Sequence, residues 1–196
     1  MPTDEDFVER RARYRVLTAG YVGDRVASTV SYVEDGPVRA IIDPGMVRDR
    51  SRILRPLARL GVRPADITDI VLSHHHPDHT LHCALFPLAR VHDHWAIYAQ
   101  DVWTSRPAEG FSLSPSIRLM ETPAHTAQDI TTLVGTPRDV VAFTHLWWNS
   151  EGPTPDPLAS HPRSLRPQRA RVLSIATRIV PGHGAPFVPP RGRSSR

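Results

Sequence analysis

Between Leu72 and His82 the chain reads LSHHHPDHTLH, which places five of its 11 histidines and one aspartate in a short span. His74 and His76 lie two residues apart, so on extended backbone their side chains leave the same side. His79 follows His76 by three residues and needs a turn or a helix start to come round, with Asp78 beside it facing another way. A strand end followed by a helix start therefore offers two histidines to one point and Asp78 with His79 to a second point nearby. That is the arrangement a two-metal centre requires. His75 has the opposite parity and belongs to packing or a supporting contact, while His82 reads as a surface or capping histidine.

A buried strand must deliver such a loop, and the apolar run at 67–72 supplies one. Ahead of it, residues 14–22, 28–36 and 38–45 read as strands, the last ending in a Pro-Gly turn. Their links, including the EDGP hairpin, are too short for a helical crossover, so they are expected to be antiparallel. Residues 50–61 change to helical period, with Ile53, Leu54, Leu57 and Leu60 on one face, Pro56 awkwardly inside and Gly61 as C-cap. In the second half, 88–94 reads as a short strand and turn and 95–103 as a helix. Residues 116–123, 129–135 and 139–148 read as strands, a Pro-rich loop spans 149–164, a helix covers 165–176, and RIVP at 178–181 is a short strand before a PGHG turn. Strands with helices between and after them, in one domain, indicate an α+β class with αββα layers.

A length of 196 residues suits one well-buried core rather than two. The charge of +4 comes entirely from arginine, and the absence of lysine beside abundant Ala, Pro and Arg points to coding bias more than to nucleic acid. Nothing after Asp156 is acidic, whereas eight arginines follow it; a solvated basic surface is the expected result. The single cysteine, Cys83, rules out an intrachain disulfide. With no signal-like or membrane-length apolar run, a cytoplasmic, membrane-free protein is expected.

The run His74-His75-His76-Pro77-Asp78-His79 resembles the HxHxDH signature of the metallo-β-lactamase superfamily, set after a buried strand as that fold requires. Ile42-Asp43-Pro44-Gly45 is similar to its early aspartate-glycine turn, Thr122-Pro123-Ala124-His125-Thr126 to its TPGHT element, and Pro181-Gly182-His183-Gly184 to its PGHG element. The resemblance covers about Tyr14 to Phe187 in the right order. It implies an αββα sandwich over residues 13–188, after an acidic segment at 1–12 and before a flexible basic tail at 189–196. It also implies His74, His76 and His125 at a first metal and Asp78, His79 and His183 at a second, with Asp43 behind the ligands orienting a histidine.

One position departs from the pattern. Where dinuclear members resembling this chain end a strand in Gly-Asp, with the aspartate bridging both metals, this strand ends in Thr144-His145. A neutral imidazole gives one lone pair to one ion, and one negative charge is lost. Three outcomes follow: a dinuclear centre with His145 as a terminal ligand, a mononuclear centre, or a non-enzyme. Asp78 and His145 count as the catalytic candidates. Trp147, Trp148 and His161 are candidates for a substrate pocket, and Trp95, Tyr98 and Trp103 for an aromatic rim.

The resemblance implies a metal-dependent hydrolase of a small ester, lactone, thioester or amide, working through a metal-activated water. Zn²⁺ is the expected ion, one or two in number, with Fe or Mn as alternatives. The competing readings are a small nuclease or phosphodiesterase, and a non-catalytic, metal-stabilised binding or dimerisation protein. The expected partner is a small molecule, with a homodimer left open.

Overall fold

The computed structural model describes Phe7 and residues 10–190. Most of the acidic segment at 1–12 and of the basic tail at 189–196 lies outside the described residues. Strand β1 (Arg13–Thr18) pairs antiparallel with β2 (Val30–Asp35). A turn with Gly36 at φ +59° sends β2 back as β3 (Val38–Ile42), a conformation that glycine adopts without a Cβ clash. Helix α1 (Ser51–Arg59) buries Ile53 and Leu57, each a contribution of about 1.5–3 kcal/mol, tolerates Pro56, and gives way to Gly61 at φ +74°. This helix is the crossover that lets β4 (Asp69–Val71) lie parallel to β3, and β5 (Arg90–His92) is parallel to β4 in turn.

Residues 95–103 are not helical. They form the hairpin of β6 (Ala96–Ala99) and β7 (Val102–Ser105), turning at Gln100 with φ +56°. The physical reason lies in pairing: β6 completes the open edge of β5, and Tyr98 meets Trp103 directly across the hairpin. The first sheet thus runs in sequence order from β1 to β7.

The second sheet has the order β12-β11-β10-β9-β8, built from β8 (Ser112–Ser114), β9 (Ile117–Glu121), β10 (Ile130–Gly135), β11 (Val140–Thr144) and β12 (Arg178–Pro181). Every residue of β10 and β11 is buried, as expected of strands covered on both faces. Val33, Ile42 and Val71 of the first sheet pack against Leu119, Val141 and Phe143 of the second. Ile41 and Ile70 point the other way, onto Ile53 and Leu57 of α1. On the far side Leu133, Ala142 and Ile179 meet Leu165 and Val172 of α3 (Leu165–Leu173). The layers are therefore αββα, and the class is α+β.

This topology sets the site. Strands β3, β4 and β5 run in one direction, and β9, β11 and β12 share a direction in the other sheet. The chain segments leaving their C-terminal ends carry the histidines that come together. No helix among the described residues is long and apolar enough to cross a membrane.

Candidate metal centre

The loop after β4 and the single turn α2 (Pro77–Thr80) bring His74, Asp78 and His79 into a cluster with His125, His145 and His183. The first group expected from the resemblance, His74, His76 and His125, meets within 4.8 Å by ligand atoms, and so does the second, Asp78, His79 and His183. His74 Nε2 lies 3.0 Å from His76 Nδ1, which lies 3.1 Å from His125 Nε2. Asp78 Oδ2 is 3.4 Å from His79 Nε2 and 3.6 Å from His183 Nε2.

What makes these contacts informative is the opposite edge of each ring. Asp43 leaves β3 at φ +50°, and its two oxygens accept the Ser73 N–H at 2.7 Å and the Ser73 hydroxyl at 2.8 Å. Having given its proton to Asp43, the Ser73 oxygen accepts from His74 Nδ1 at 3.0 Å. Asp43 also accepts from His79 Nδ1 at 2.8 Å, Asp156 from His125 Nδ1 at 2.8 Å, and the Ala27 carbonyl from His183 Nδ1 at 3.0 Å. Each of these four rings therefore carries its proton on Nδ1 and turns an Nε2 lone pair into the cluster. Lone pairs facing one another repel unless a cation or proton lies between them, and the buried His79 Nε2 has no hydrogen-bond partner among the described residues. A divalent ion fits this donor set. Burial first, then the neighbouring imidazoles, pushes His74 and His145 well below the ordinary histidine value, and His76 and His183 are lowered by the same causes.

His145 stands in the middle of the cluster, its ring centroid 4.2 Å from that of His125, 4.5 Å from His74, 4.9 Å from His79 and 5.1 Å from His183. Its Nε2 is 3.1 Å from His183 Nε2, and its buried Nδ1 has no hydrogen-bond partner among the described residues. Two features give it that seat. Thr144, at the position where a glycine is usual, continues a buried hydroxyl chain through Thr131 to Thr122, at 2.7 and 2.9 Å. A Cβ on Gly182 would stand 2.5 Å from His145 Cδ2, so the wider imidazole is accommodated only because residue 182 has no side chain.

The two tryptophans after His145 part company. Trp148 faces the cluster, 6.2–6.4 Å by ring centroid from His125, His145 and His183. Trp147 does not line a pocket: it is 8% exposed, packs in the α3 layer against Phe187, and is covered by the Arg169 guanidinium at 4.9 Å. His161 is exposed and meets Ser160 Oγ through Nδ1 at 2.9 Å, placing its ring in a loop contact rather than a pocket wall. His75, exposed, pairs with Asp93 at 3.1 Å, and His82 is buried against the Val47 carbonyl at 2.8 Å; neither joins the cluster.

Residues 23–162 match the family model of the metallo-beta-lactamase superfamily. The chain belongs to that superfamily. The Xenopus laevis metallo-beta-lactamase domain-containing protein 1 is 30% identical over 191 residues, covering 88% of this chain and 79% of the frog protein. Among solved structures, a Thermotoga maritima chain described as a metallo-beta-lactamase superposes with a TM-score of 0.74 at 23% identity, covering 91% of this chain and all of that one. A quorum-quenching N-acyl homoserine lactone lactonase superposes with a TM-score of 0.62 at 17% identity, over 89% of this chain and 92% of that one. At these identities the two structures speak for the fold alone.

In this metallo-β-lactamase-fold chain, sequence reasoning missed Asp156. The 149–164 loop is pinned to the centre: Asp156 holds His125, Ser160 N–H donates to the His125 carbonyl at 2.8 Å, and His161 N–H to the Ala124 carbonyl at 2.9 Å. Arg169 of α3 fixes the loop from behind, donating to the carbonyls of Leu146 and Pro153 at 2.7–2.8 Å and to Thr154 Oγ1 at 2.6 Å. An Asp156→Ala variant is expected to bind its first divalent ion about 10–100-fold more weakly, the range for loss of a carboxylate behind a ligating histidine. Competition with a chromophoric chelator measures this. Unchanged affinity would mean that the loop carbonyl contacts alone orient His125.

Proposed function

We propose that this protein is a metal-dependent hydrolase of a small neutral carbonyl substrate: an ester, lactone, thioester or amide. The observation that carries the reading is the convergence of four Nε2 lone pairs, each fixed by a hydrogen bond behind its ring. Divalent ions held there, with Zn²⁺ favoured by imidazole-rich donors and Fe or Mn also compatible, would supply an activated water and polarise the scissile carbonyl. His74, His76 and His125 are assigned to the first ion, and Asp78, His79 and His183 to the second, with His145 as its additional terminal ligand. Asp78, the carboxylate of the second set, is 13% exposed by side chain, so an oxygen of it would be open to accept a hydrogen bond from a reacting water. His76 is exposed and leaves the centre open to an arriving substrate, while Trp148 excludes solvent from the side of His125 and His183.

The nuclease reading would need free cations beside the centre. Arg169 is engaged with the Leu146 and Pro153 carbonyls, and Arg171 with Glu109 and the Glu121 carbonyl, so neither is free to hold a phosphate. The test is hydrolysis by metal-stripped and Zn²⁺-restored protein of a neutral aryl ester, a lactone and a thioester. Activity is expected only after restoration. Turnover indifferent to chelation, or confined to a phosphodiester and steeply inhibited by salt, would overturn the reading.

A pH dependence accompanies it. The histidines with lowered values stay neutral in the folded chain while the unfolded chain takes up protons below about pH 6.5. Their contribution to stability is therefore full above that pH and drains away as pH falls toward the depressed folded values. The metal-free protein is expected to melt at lower temperature at pH 5 than at pH 7.5; calorimetry showing the reverse would contradict neutral, lone-pair-bearing rings.

A further inference from the structure

Strands β4 and β5 are parallel, so the histidine loop and the Asp93-His94-Trp95 segment leave the same edge of the first sheet side by side. There the buried carboxylate of Asp93 collects four donors: the N–H groups of Trp95 and Ala96, both at 2.8 Å, the Tyr98 hydroxyl at 2.7 Å and His75 Nε2 at 3.1 Å. Burial alone would raise its pKa, but these hydrogen bonds outweigh that and hold it at about 2. One rigid anchor thus fixes a set of aromatic groups beside the metal-loop residue His75. The Trp95 ring stands edge-on to the His75 ring at 5.2 Å, and Tyr98 stands edge-on to Trp103 at 4.9 Å.

This anchored set is left open to solvent, with Trp95 47% and Trp103 62% exposed. The Asp93 carboxylate is covered by its donors, and the Arg106 guanidinium lies over the Phe111 ring at 4.7 Å, its nitrogens buried without a hydrogen-bond partner among the described residues. A preorganised aromatic surface beside His75, the neighbour in sequence of the candidate ligands His74 and His76, favours an apolar group, because it removes that group from water without ordering new side chains.

We propose that Trp95, with the Tyr98–Trp103 pair behind it, is the specificity-determining platform on which an apolar acyl or aryl arm of the substrate rests. The proposal rests on the hydrolase reading for the words "of the substrate", and Asp93 acts as the positioning residue. The chemical class it selects is a neutral carbonyl compound with an extended apolar arm, in preference to a short or charged one.

The test uses the full-length, Zn²⁺-loaded protein and two uncleaved neutral probes, N-methylacetamide and N-methyloctanamide, with binding read by calorimetry. The octanamide is expected to bind tighter by roughly 4-fold for each methylene removed from water. Trp95→Ala should lose about 10-fold of the octanamide affinity and none of the acetamide affinity, with Trp95→Phe restoring most of it. Circular dichroism establishes that each variant folds, and Trp103→Ala serves as a second variant with a smaller loss. Equal affinity for the two amides, or an equal loss of both in Trp95→Ala, would overturn the proposal. So would a wild-type dimer, seen by sedimentation, that Trp103→Ala disperses without changing amide binding. Graded amide binding in a protein that cleaves no ester, lactone or thioester would sink the hydrolase reading and leave the apolar platform standing.

Discussion

A His79→Ala variant is expected to lose the second ion and to fall by more than about 100-fold in hydrolytic activity, beyond the range for removing a hydrogen-bonded partner behind a ligand. His79 is fully buried and offers its Nε2 to the cluster while its Nδ1 is held by Asp43. The damage extends past the missing ring. Asp43 also holds the Ser73 backbone and hydroxyl, and Ser73 holds His74, so the alanine leaves a buried carboxylate short of a donor beside the first ligand set. Elemental analysis of metal-saturated protein, with activity on the same sample, measures both effects. Two ions retained at wild-type affinity would remove His79 from the ligand set.

A His145→Asp variant is expected to gain where His79→Ala loses. The seven residues assigned to the ions include one carboxylate, Asp78, which would leave a second dication poorly balanced in charge. An aspartate there restores a negative charge and a second donor atom, and near a partly solvated site one charge at about 4 Å is worth several kcal/mol before desolvation is subtracted. The net expectation is second-ion binding tighter by about 10-fold or more. No steric obstacle stands in the way, because aspartate is smaller than the ring that already fits against Gly182. Successive dissociation constants from chelator competition decide it. An unchanged second constant would mean that residue 145 does not face that ion.

The parts of this molecule that were legible in the chain are those where chemistry and spacing are local. The HxHxDH run, the turn at Asp43 and the two later His elements are each short, and the antiparallel pairing of β1 to β3 is readable because their partners are sequence neighbours. The β6–β7 hairpin was illegible for a physical reason: Trp95, Tyr98 and Val102 recur at helical spacing, and only the open edge of β5 decides for strand. Asp156 was hidden because a carboxylate 31 residues from the imidazole it holds, inside a proline-rich loop, carries no periodic signal. Its one mark is to be the last acidic residue of the chain. The surface or capping reading of His82 does not hold, because the Val47 carbonyl that claims its ring lies 35 residues away in sequence.

The anchors of the four fixed imidazoles come from separate stretches of chain: the turn after β3, the loop entering β2, the start of the metal loop and the segment before α3. Asp78 and three of the histidines, His74, His76 and His79, follow a strand of the first sheet, while His125, His145 and His183 follow strands of the second. An ion bound among them is thus a clasp across the seam of the sandwich, closed only when both halves have docked. Chelation would then do more than silence a reaction: it would also withdraw the stability that a bound ion lends to that seam.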